Sequence, residues 1–317
     1  MSNQSNKTGR AYEYACLISL FNAIEKIRQV KIIQNSSFTA ALKSWKLLNQ
    51  NEQQQYLISA SSIIETIFEF EPLIQEKNND DILELQIQAD SKGESADVRD
   101  ILIVRSSIGW EIGLSIKHNH FAAKHSRLSP KIDFGKKWLN IPVSQNYWNG
   151  ISSIFNKLEQ AKRKGLNWSD LINKEDDIYQ PIINIFKNEL LDIYYKNGKI
   201  IAQRLLEYVL GKYDFYKVVS LDKRKITQIQ VFNLYGNLGI NNHKKLEQIN
   251  LPTEILYIDF KKNSKNTLIV CFDNGWQFSF RIHNASTKVE TSLKFDIQII
   301  GMPANILIVD CVWYKVR

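Results

Sequence analysis

The sequence predicts a mixed α/β (α+β) protein with a helical N-terminal part, a strand-forming core and a β-rich C-terminal region. Three observations carry that prediction. Apolar residues recur at three and four spacing within 11–71, apolar and polar residues alternate over 81–117, and strand-like alternation takes over after Tyr213. At 317 residues, with 44% hydrophobic and 11% aromatic content, the chain is long enough to bury a sizeable core. The composition shift near Tyr213 divides it into 1–212, with helices and core, and a β-rich region, 213–317.

Several classes are disfavoured. No apolar run reaches the roughly 18 residues that span a bilayer, and the polar start has no signal-peptide core, so a cytoplasmic protein without membrane attachment is expected. Cys16, Cys271 and Cys311 are odd in number, far apart and lack metal-ligand spacing, which reads as reduced thiols and no zinc site. No glycine-rich phosphate loop or dinucleotide fingerprint appears, against ATP or NAD use. A net charge of +8 suits a polyanion such as nucleic acid, although many basic proteins bind none.

The polar residues up to Arg10 are expected to fray, and 11–27 reads as an amphipathic helix with Cys16, Leu17, Leu20, Phe21, Ile24 and Ile27 on one side. A second helix is expected from Ser37 through Leu48. A third, 52–71, collects Tyr56, Leu57, Ala60, Ile63, Ile64, Ile67 and Phe68 on one face, with Glu65 and Glu69 opposite. Glu71 falls on the apolar side of that helix, next to Pro72, so it needs a cation, a hydrogen-bond network, a metal or an exit to solvent. The alternation over 81–88 predicts a strand, and 89–96, with Gly93, a polar turn.

Residues 97–127 concentrate the chemistry. The β-branched and aromatic runs 101–104 and 110–116, separated by Ser106, Ser107 and Gly109, predict an antiparallel hairpin. With 106–109 as the loop, Arg105 faces Trp110 and Asp100 faces Ser115, so Asp100, Ser115 and Lys117 share a face of the sheet. A carboxylate then stands beside an ammonium group. Asp97 faces the other way in that register, and a bulge would reverse it. Glu111 lies roughly 20 Å along the strand from Lys117, too far for a ligand of the same ion. Downstream, His118, Asn119, His120, Lys124, His125, Ser126 and Arg127 form a basic arm. It reads either as a solvated charge run or as a phosphate-tracking segment whose Asn119, Ser126 and Arg127 reach base edges. The letters His118-Asn119-His120 are not an HNH nuclease signature, which needs those residues widely separated.

Further helices are expected at 144–164, 177–195 and 200–210, and strands at 215–221, 226–234, 254–260, 267–272, 276–282 and 293–300, with Asp273-Asn274-Gly275 as a hairpin turn. Arg281, His283, Asn284, Ser286, Lys288 and Lys294 lie at a strand end and the loop beyond it. They are candidates for groove contacts, with an ordinary polar loop as the plain alternative.

The order of helical acid, strand, Asp at the head of a second strand and Lys on a third resembles the PD-(D/E)-x-K nuclease fold, with Ser115-Ile116-Lys117 where the usual pattern has an acid at the first position. The wording from Ala96 to Ile101, Glu111 to His120, Lys124 to Ser129, Trp276 to Lys288 and Ser292 to Asp296 is similar to the HaeIII family of type II restriction endonucleases. The resemblance implies a restriction-endonuclease-like core around 97–117 and Mg²⁺-dependent hydrolysis of double-stranded DNA. It further implies a GGCC target, 5′-phosphate products and a cognate DNA methyltransferase in the same system. Mg²⁺ takes a few carboxylate oxygens, which Asp100, Glu71 or Asp97 can supply; Lys117 suits water activation and charge stabilisation, and Ser115 a water contact. A homodimer and sequential nicking by a monomer both remain open for a palindromic site. So do a repair nuclease of the same fold and a non-catalytic nucleic-acid-binding protein in which the acids and the lysine are structural ion pairs.

Overall fold

A computed structural model of the chain describes residues 2–77, 81–89, 97–119, 122–243 and 245–314. The helices are α1 Ser2–Ile24, α2 Ser36–Lys46, α3 Gln50–Ser61, α4 Ile64–Phe70, α5 Gln145–Arg163, α6 Gln180–Asn197 and α7 Lys199–Leu210. The strands are β1 Val30–Ile32, β2 Leu83–Ile87, β3 Ile101–Arg105, β4 Trp110–His118, β5 Ala122–Leu128, β6 Phe215–Leu221, β7 Ile226–Phe232, β8 Ile255–Phe260, β9 Thr267–Phe272, β10 Gln277–His283, β11 Leu293–Gly301 and β12 Ile308–Val312. The mixed α/β class with helical N-terminal part and β-rich C-terminal sheets is as the sequence predicts. The polar turn expected at 89–96 lies, from 90 onward, outside the described residues, as does His120.

Helix α1 begins at Ser2 rather than Ala11. Residues 2–10 contain no proline, so helical hydrogen bonding runs past the end of the apolar stripe. Asn35 caps α2 by accepting from Phe38 N at 2.8 Å, and Asn49 and Glu52 form a reciprocal capping box on α3. The single helix expected over 52–71 is interrupted at Ser62 and Ile63. There the Ser62 hydroxyl donates to the Ser59 carbonyl at 2.8 Å, a local bond of the kind that competes with helical pairing.

The chain forms two units, one from Met1–Phe121, Lys212–Ile249 and Asn305–Arg317, the other from Ala122–Gly211 and Asn250–Ala304. Of the expected division into 1–212 and 213–317, the point near Gly211 is one place where the chain passes between units. The rest differs, because β6, β7 and β12 join the sheet begun by the N-terminal strands, while β5, expected as an arm, joins the sheet of β8 to β11. The parallel pairing of β4 with β6 is the cause: parallel neighbours need a crossover connection, and here the segment 122–211 is that crossover.

The first unit's sheet has the order β1-β2-β3-β4-β6-β7-β12, with β1/β2 and β4/β6 parallel and the other pairs antiparallel. Leu85, Ile103, Ile112, Leu114, Ile116, Tyr216, Val218, Ile229 and Val231 share one face and pack in a core with Tyr12, Cys16, Leu17 and Leu20 of α1 and Ala60 and Ile67 of α3 and α4. The period of two then sends Ser115, Lys117, Lys217, Gln228 and Gln230 to the opposite face. An ionic knot anchors the far end of β3: Asp81 accepts from Arg28 at 2.7 Å and from Arg105 at 2.5 Å, all three side chains being buried. Burial works to raise the Asp81 pKa, but hydrogen bonds from Ser107, Arg28 and Arg105 outweigh it and hold it at about 2.

The second unit's sheet is antiparallel throughout, in the order β5-β11-β10-β9-β8. On one face Phe280 and Phe295 pack with Phe134, Trp138, Tyr147 and Phe186 as a chain of aromatic edge and tilted contacts. The other face carries polar side chains.

Candidate functional site

The hairpin β3–β4 has the register read from the sequence from Arg105, which pairs with Trp110, to Ile101, which pairs with Leu114; at the head of β3 the ladder shifts, and Asp100 N donates to the Leu114 carbonyl at 2.8 Å instead of standing opposite Ser115. Its loop is a short 3₁₀ turn, 106–108, closed by Gly109 at φ 63°, a left-handed conformation that suits glycine. One Asp100 oxygen, Oδ2, accepts from Ile116 N at 2.6 Å, Lys117 Nζ at 3.0 Å and Ser115 Oγ at 3.4 Å. The Asp100 and Lys117 side chains each keep about a quarter of their surface accessible, 26% and 27%. Burial works to lower the Lys117 pKa, but the charge and hydrogen bond of Asp100 and the charge of Glu13 prevail and raise it. Asp100, Ser115 and Lys117 are therefore brought together.

The helical carboxylate near this pair is Glu13 of α1, which nothing in the sequence reading singled out. Tyr12, its neighbour, lies 5.6 Å from the His118 ring at the end of β4, and the charge of Glu13 reaches both Lys117 and Cys16. Glu71, the expected helical acid, is held elsewhere. Its Oε1 accepts from Tyr216 Oη in a short hydrogen bond and from Gly239 N at 2.8 Å, while Oε2 is buried without a hydrogen bond. Tyr216 pairs with Leu114, whose side chain points away from the Ser115 and Lys117 face, so Glu71 sits on the other side of the sheet from the Asp100–Lys117 pair. Burial raises the Glu71 pKa to about 7, with the Tyr216 and Gly239 bonds pulling the other way.

Asp97 is also engaged differently. It receives Arg99 Nε at 2.8 Å, Arg99 Nη2 at 2.8 Å and Gln88 Nε2 at 3.0 Å, and Arg99 continues to Glu111 at 2.7 Å. These contacts hold its carboxyl below the usual range despite its burial. The Arg99 stem crosses β4 over Gly113, where a Cβ would meet Arg99 Cδ at 2.2 Å. Asp97 and Glu111 are thus the two anions of one arginine. Lys217 is a further group on the candidate face: β6 places it opposite Ser115, with 4% exposure.

Two residues of the expected basic arm close the end of the first unit's sheet. His118 Nε2 lies 2.9 Å from Asp222 Oδ2, and Asn119, at φ 52°, accepts from Asp222 N at 3.0 Å and donates its own N–H to the Ser220 carbonyl. Both tie β4 to the turn after β6.

In the second unit the two candidate DNA-binding segments converge on three adjacent strands. Register sets Arg127 of β5 beside Lys294 of β11 and that beside His283 of β10; two residues along, His125, Asp296 and Arg281 form a parallel row on the same face. Asp296 lies 3.4 Å from His125 and 3.7 Å from Arg281. Lys294 has its pKa lowered by burial and by Arg127 and Arg281, against the pull of Asp296, and His283 is lowered by burial, Arg281 and Lys294. Lys124 and Ser126, at alternate positions, face the other side. Lys124 donates to the Tyr208 carbonyl at 2.8 Å and lies 3.9 Å over its ring, its pKa lowered to about 8 by burial, and Ser126 pairs with the Tyr208 hydroxyl. Asn284 accepts from Tyr179 and donates to the Ser286 carbonyl, Ser286 donates to the Lys288 carbonyl, and Lys288 pairs with Asn167, so these three shape the loop after β10.

Among the described residues no cluster of three or more His, Cys, Asp or Glu side chains stands ready to hold a metal, and no helix is long and apolar enough to cross a membrane. A family model described as HaeIII restriction endonuclease matches residues 9–303. The chain is similar to the type II restriction enzyme HaeIII of Haemophilus aegyptius, at 51% identity over 318 residues, covering 99% of each chain. No solved structure matches it.

Proposed function

The chain belongs to the HaeIII restriction endonuclease family and is a site-specific endonuclease of double-stranded DNA; on that premise we propose that it cuts GGCC sites in a Mg²⁺-dependent reaction at the Asp100–Lys117 pair, leaving 5′-phosphate ends. The observation that carries this reading is the meeting of Asp100, Lys117 and Ser115, with a 3.0 Å ion pair between acid and lysine, both partly exposed.

The residues fit magnesium. Its preference is for one or two carboxylates, with water and substrate phosphate filling the other positions, and Asp100, a partly exposed carboxylate, would supply one of them. When bound, Mg²⁺ supplies charge neutralisation on the phosphate and a more acidic water. Asp100 holds Lys117 in place through Oδ2, which also accepts from Ile116 N. Lys117 orients the attacking water, and its positive charge favours the negative charge that grows on the phosphoryl oxygens. Ser115 donates to Asp100 and fixes its orientation. Glu71 and Asp97 are assigned to structure, through Tyr216 and Arg99.

Arg127, Lys294, His283, His125 and Arg281 form the DNA-reading face, in which arginine can meet guanine O6 and N7 in the major groove. A methyltransferase of the same specificity belongs to the proposed system without any physical complex, the setting is the cytoplasm, and the palindromic target admits a homodimer. Plasmid incubated with and without Mg²⁺ tests the proposal. Discrete fragments with ends at GGCC, lost in Asp100→Ala and Lys117→Ala, are expected; a smear, or full cleavage by either variant, rejects it.

A further inference from the structure

Lys217 lies where the sequence gives no hint of a site. The parallel register of β4 and β6 pairs Ser115 with Lys217 and Lys117 with Val219, so Lys217 projects from the neighbouring strand to the face that carries Ser115 and Lys117. The next strand continues the row, with Gln230 opposite Lys217. A polar band therefore runs across three strands in the order Ser115, Lys217, Gln230, in a sheet whose other face is apolar, and Ser115 Oγ lies 3.4 Å from Asp100 Oδ2 at its end. Lys217 and Gln230 are each 4% exposed, so both are committed to that position at the cost of burial.

Two lysines at diagonal positions of paired strands stand roughly 7–8 Å apart at the backbone, close enough to repel. Burial and the charge of Lys117 both work against the positive charge of Lys217 and lower its pKa to about 8. An anion that enters between two such ammonium groups relieves the repulsion. The phosphodiester is such an anion, and its negative charge grows during attack.

We propose that Lys217 is a second cationic catalytic residue, contacting the phosphate that Lys117 serves and stabilising its pentacoordinate state. The inference rests on the assignment of the Asp100–Lys117 pair as the cleavage centre. In the step it serves, the oxygen of water bonds to phosphorus while the bond from phosphorus to the 3′ oxygen breaks. The water gives up one proton, the 3′ oxygen takes one, and the phosphate stays on the 5′ end. Because the added charge appears mainly in the transition state, Lys217 contributes more to the cleavage rate than to DNA binding.

The test compares wild type with Lys217→Met and Lys217→Arg, measuring single-turnover cleavage of a GGCC duplex with Mg²⁺ and affinity for the same duplex in EDTA. The proposal expects Lys217→Met to cut about 100-fold or more slowly with affinity within about threefold, and Lys217→Arg to recover to within about tenfold of wild type. Cleavage by Lys217→Met within about threefold of wild type overturns it, as does an arginine variant as slow as the methionine one. If Lys217→Met melts more than about 10 °C below wild type, Lys217→Gln takes its place with the same thresholds; a fold that tolerates neither makes Lys217 a structural residue and also overturns the proposal. Normal cleavage by Asp100→Ala and Lys117→Ala would instead remove the underlying assignment, an outcome distinct from a failure at Lys217 alone.

Discussion

The polar faces of the two sheets differ in how they balance charge. In the first unit, the cations near the hairpin stand among acids: Lys117 between Asp100 and Glu13, and Arg99 between Asp97 and Glu111. In the second, Arg127 and Lys294 stand in one row, and His125 and Arg281 flank Asp296 in the next. A balanced cluster holds its groups in fixed geometry and attracts a polyanion weakly. A cation-rich face attracts a polyanion over a Debye length and tolerates variation in placement. The proposed division between positioning for chemistry and attraction for binding rests on that contrast.

The comparison breaks first at its strongest point. Asp100→Ala and Lys117→Ala are expected to reduce cleavage at least about 10³-fold while leaving affinity in EDTA within a few-fold of wild type; a gel-based cleavage assay beside a filter-binding titration reads both. Next come the two glutamates: the charge of Glu13 reaches Lys117, whereas Glu71 is tied to Tyr216 and Gly239. Glu13→Gln should lower the cleavage rate about 10²-fold with little change in melting, whereas Glu71→Gln should leave the rate within about threefold.

Glu71→Gln should also alter the pH dependence of stability. Folded Glu71 keeps its proton to about pH 7, whereas the ordinary value is 4.5. Between those values the folded state binds more protons than the unfolded one, so this group's contribution to stability falls as pH rises through that window and is at its lowest above pH 7. Urea titrations at pH 5 and pH 8 should show a smaller difference for Glu71→Gln than for wild type, by an amount of order 1–3 kcal/mol. An unchanged difference would mean that Glu71 is ionised through the window.

Smaller effects sharpen the picture. Gly113→Ala, by displacing the Arg99 stem from over β4, should destabilise the fold by about 1–3 kcal/mol, seen as a lower denaturant midpoint. Arg127→Ala should weaken DNA binding severalfold and reduce the slope of log affinity against log salt by about one, with similar losses on cognate and non-cognate duplexes. A loss confined to the cognate duplex would make it a base reader instead.

Much of this was legible in the sequence where local rules decide. The hairpin register over 101–105 and 110–114 followed from the turn at 106–109 and the alternation on either side, but Asp100 meets Ser115 and Lys117 through a shift at the head of β3 that the alternation does not announce. Glu71 was legible as a residue on an apolar side, but its partner, Tyr216, arrives from a distant strand. Glu13 looked like one more polar residue on an amphipathic helix, because nothing local says how α1 lies against the end of β4. Lys217 was hidden for the same reason, since a parallel pairing across the crossover 122–211 leaves no nearby signal. The alternation in β5 was missed because Lys124, His125, Ser126 and Arg127 offer no apolar face to mark a strand.

The most direct test of the division of labour is the affinity of Asp100→Asn and of the double variant Arg127→Ala/Arg281→Ala for a GGCC duplex in EDTA, measured beside wild type. The account predicts that Asp100→Asn binds as wild type does and that the double variant binds at least about tenfold more weakly. Wild-type affinity in the double variant, with binding lost in Asp100→Asn, would contradict it.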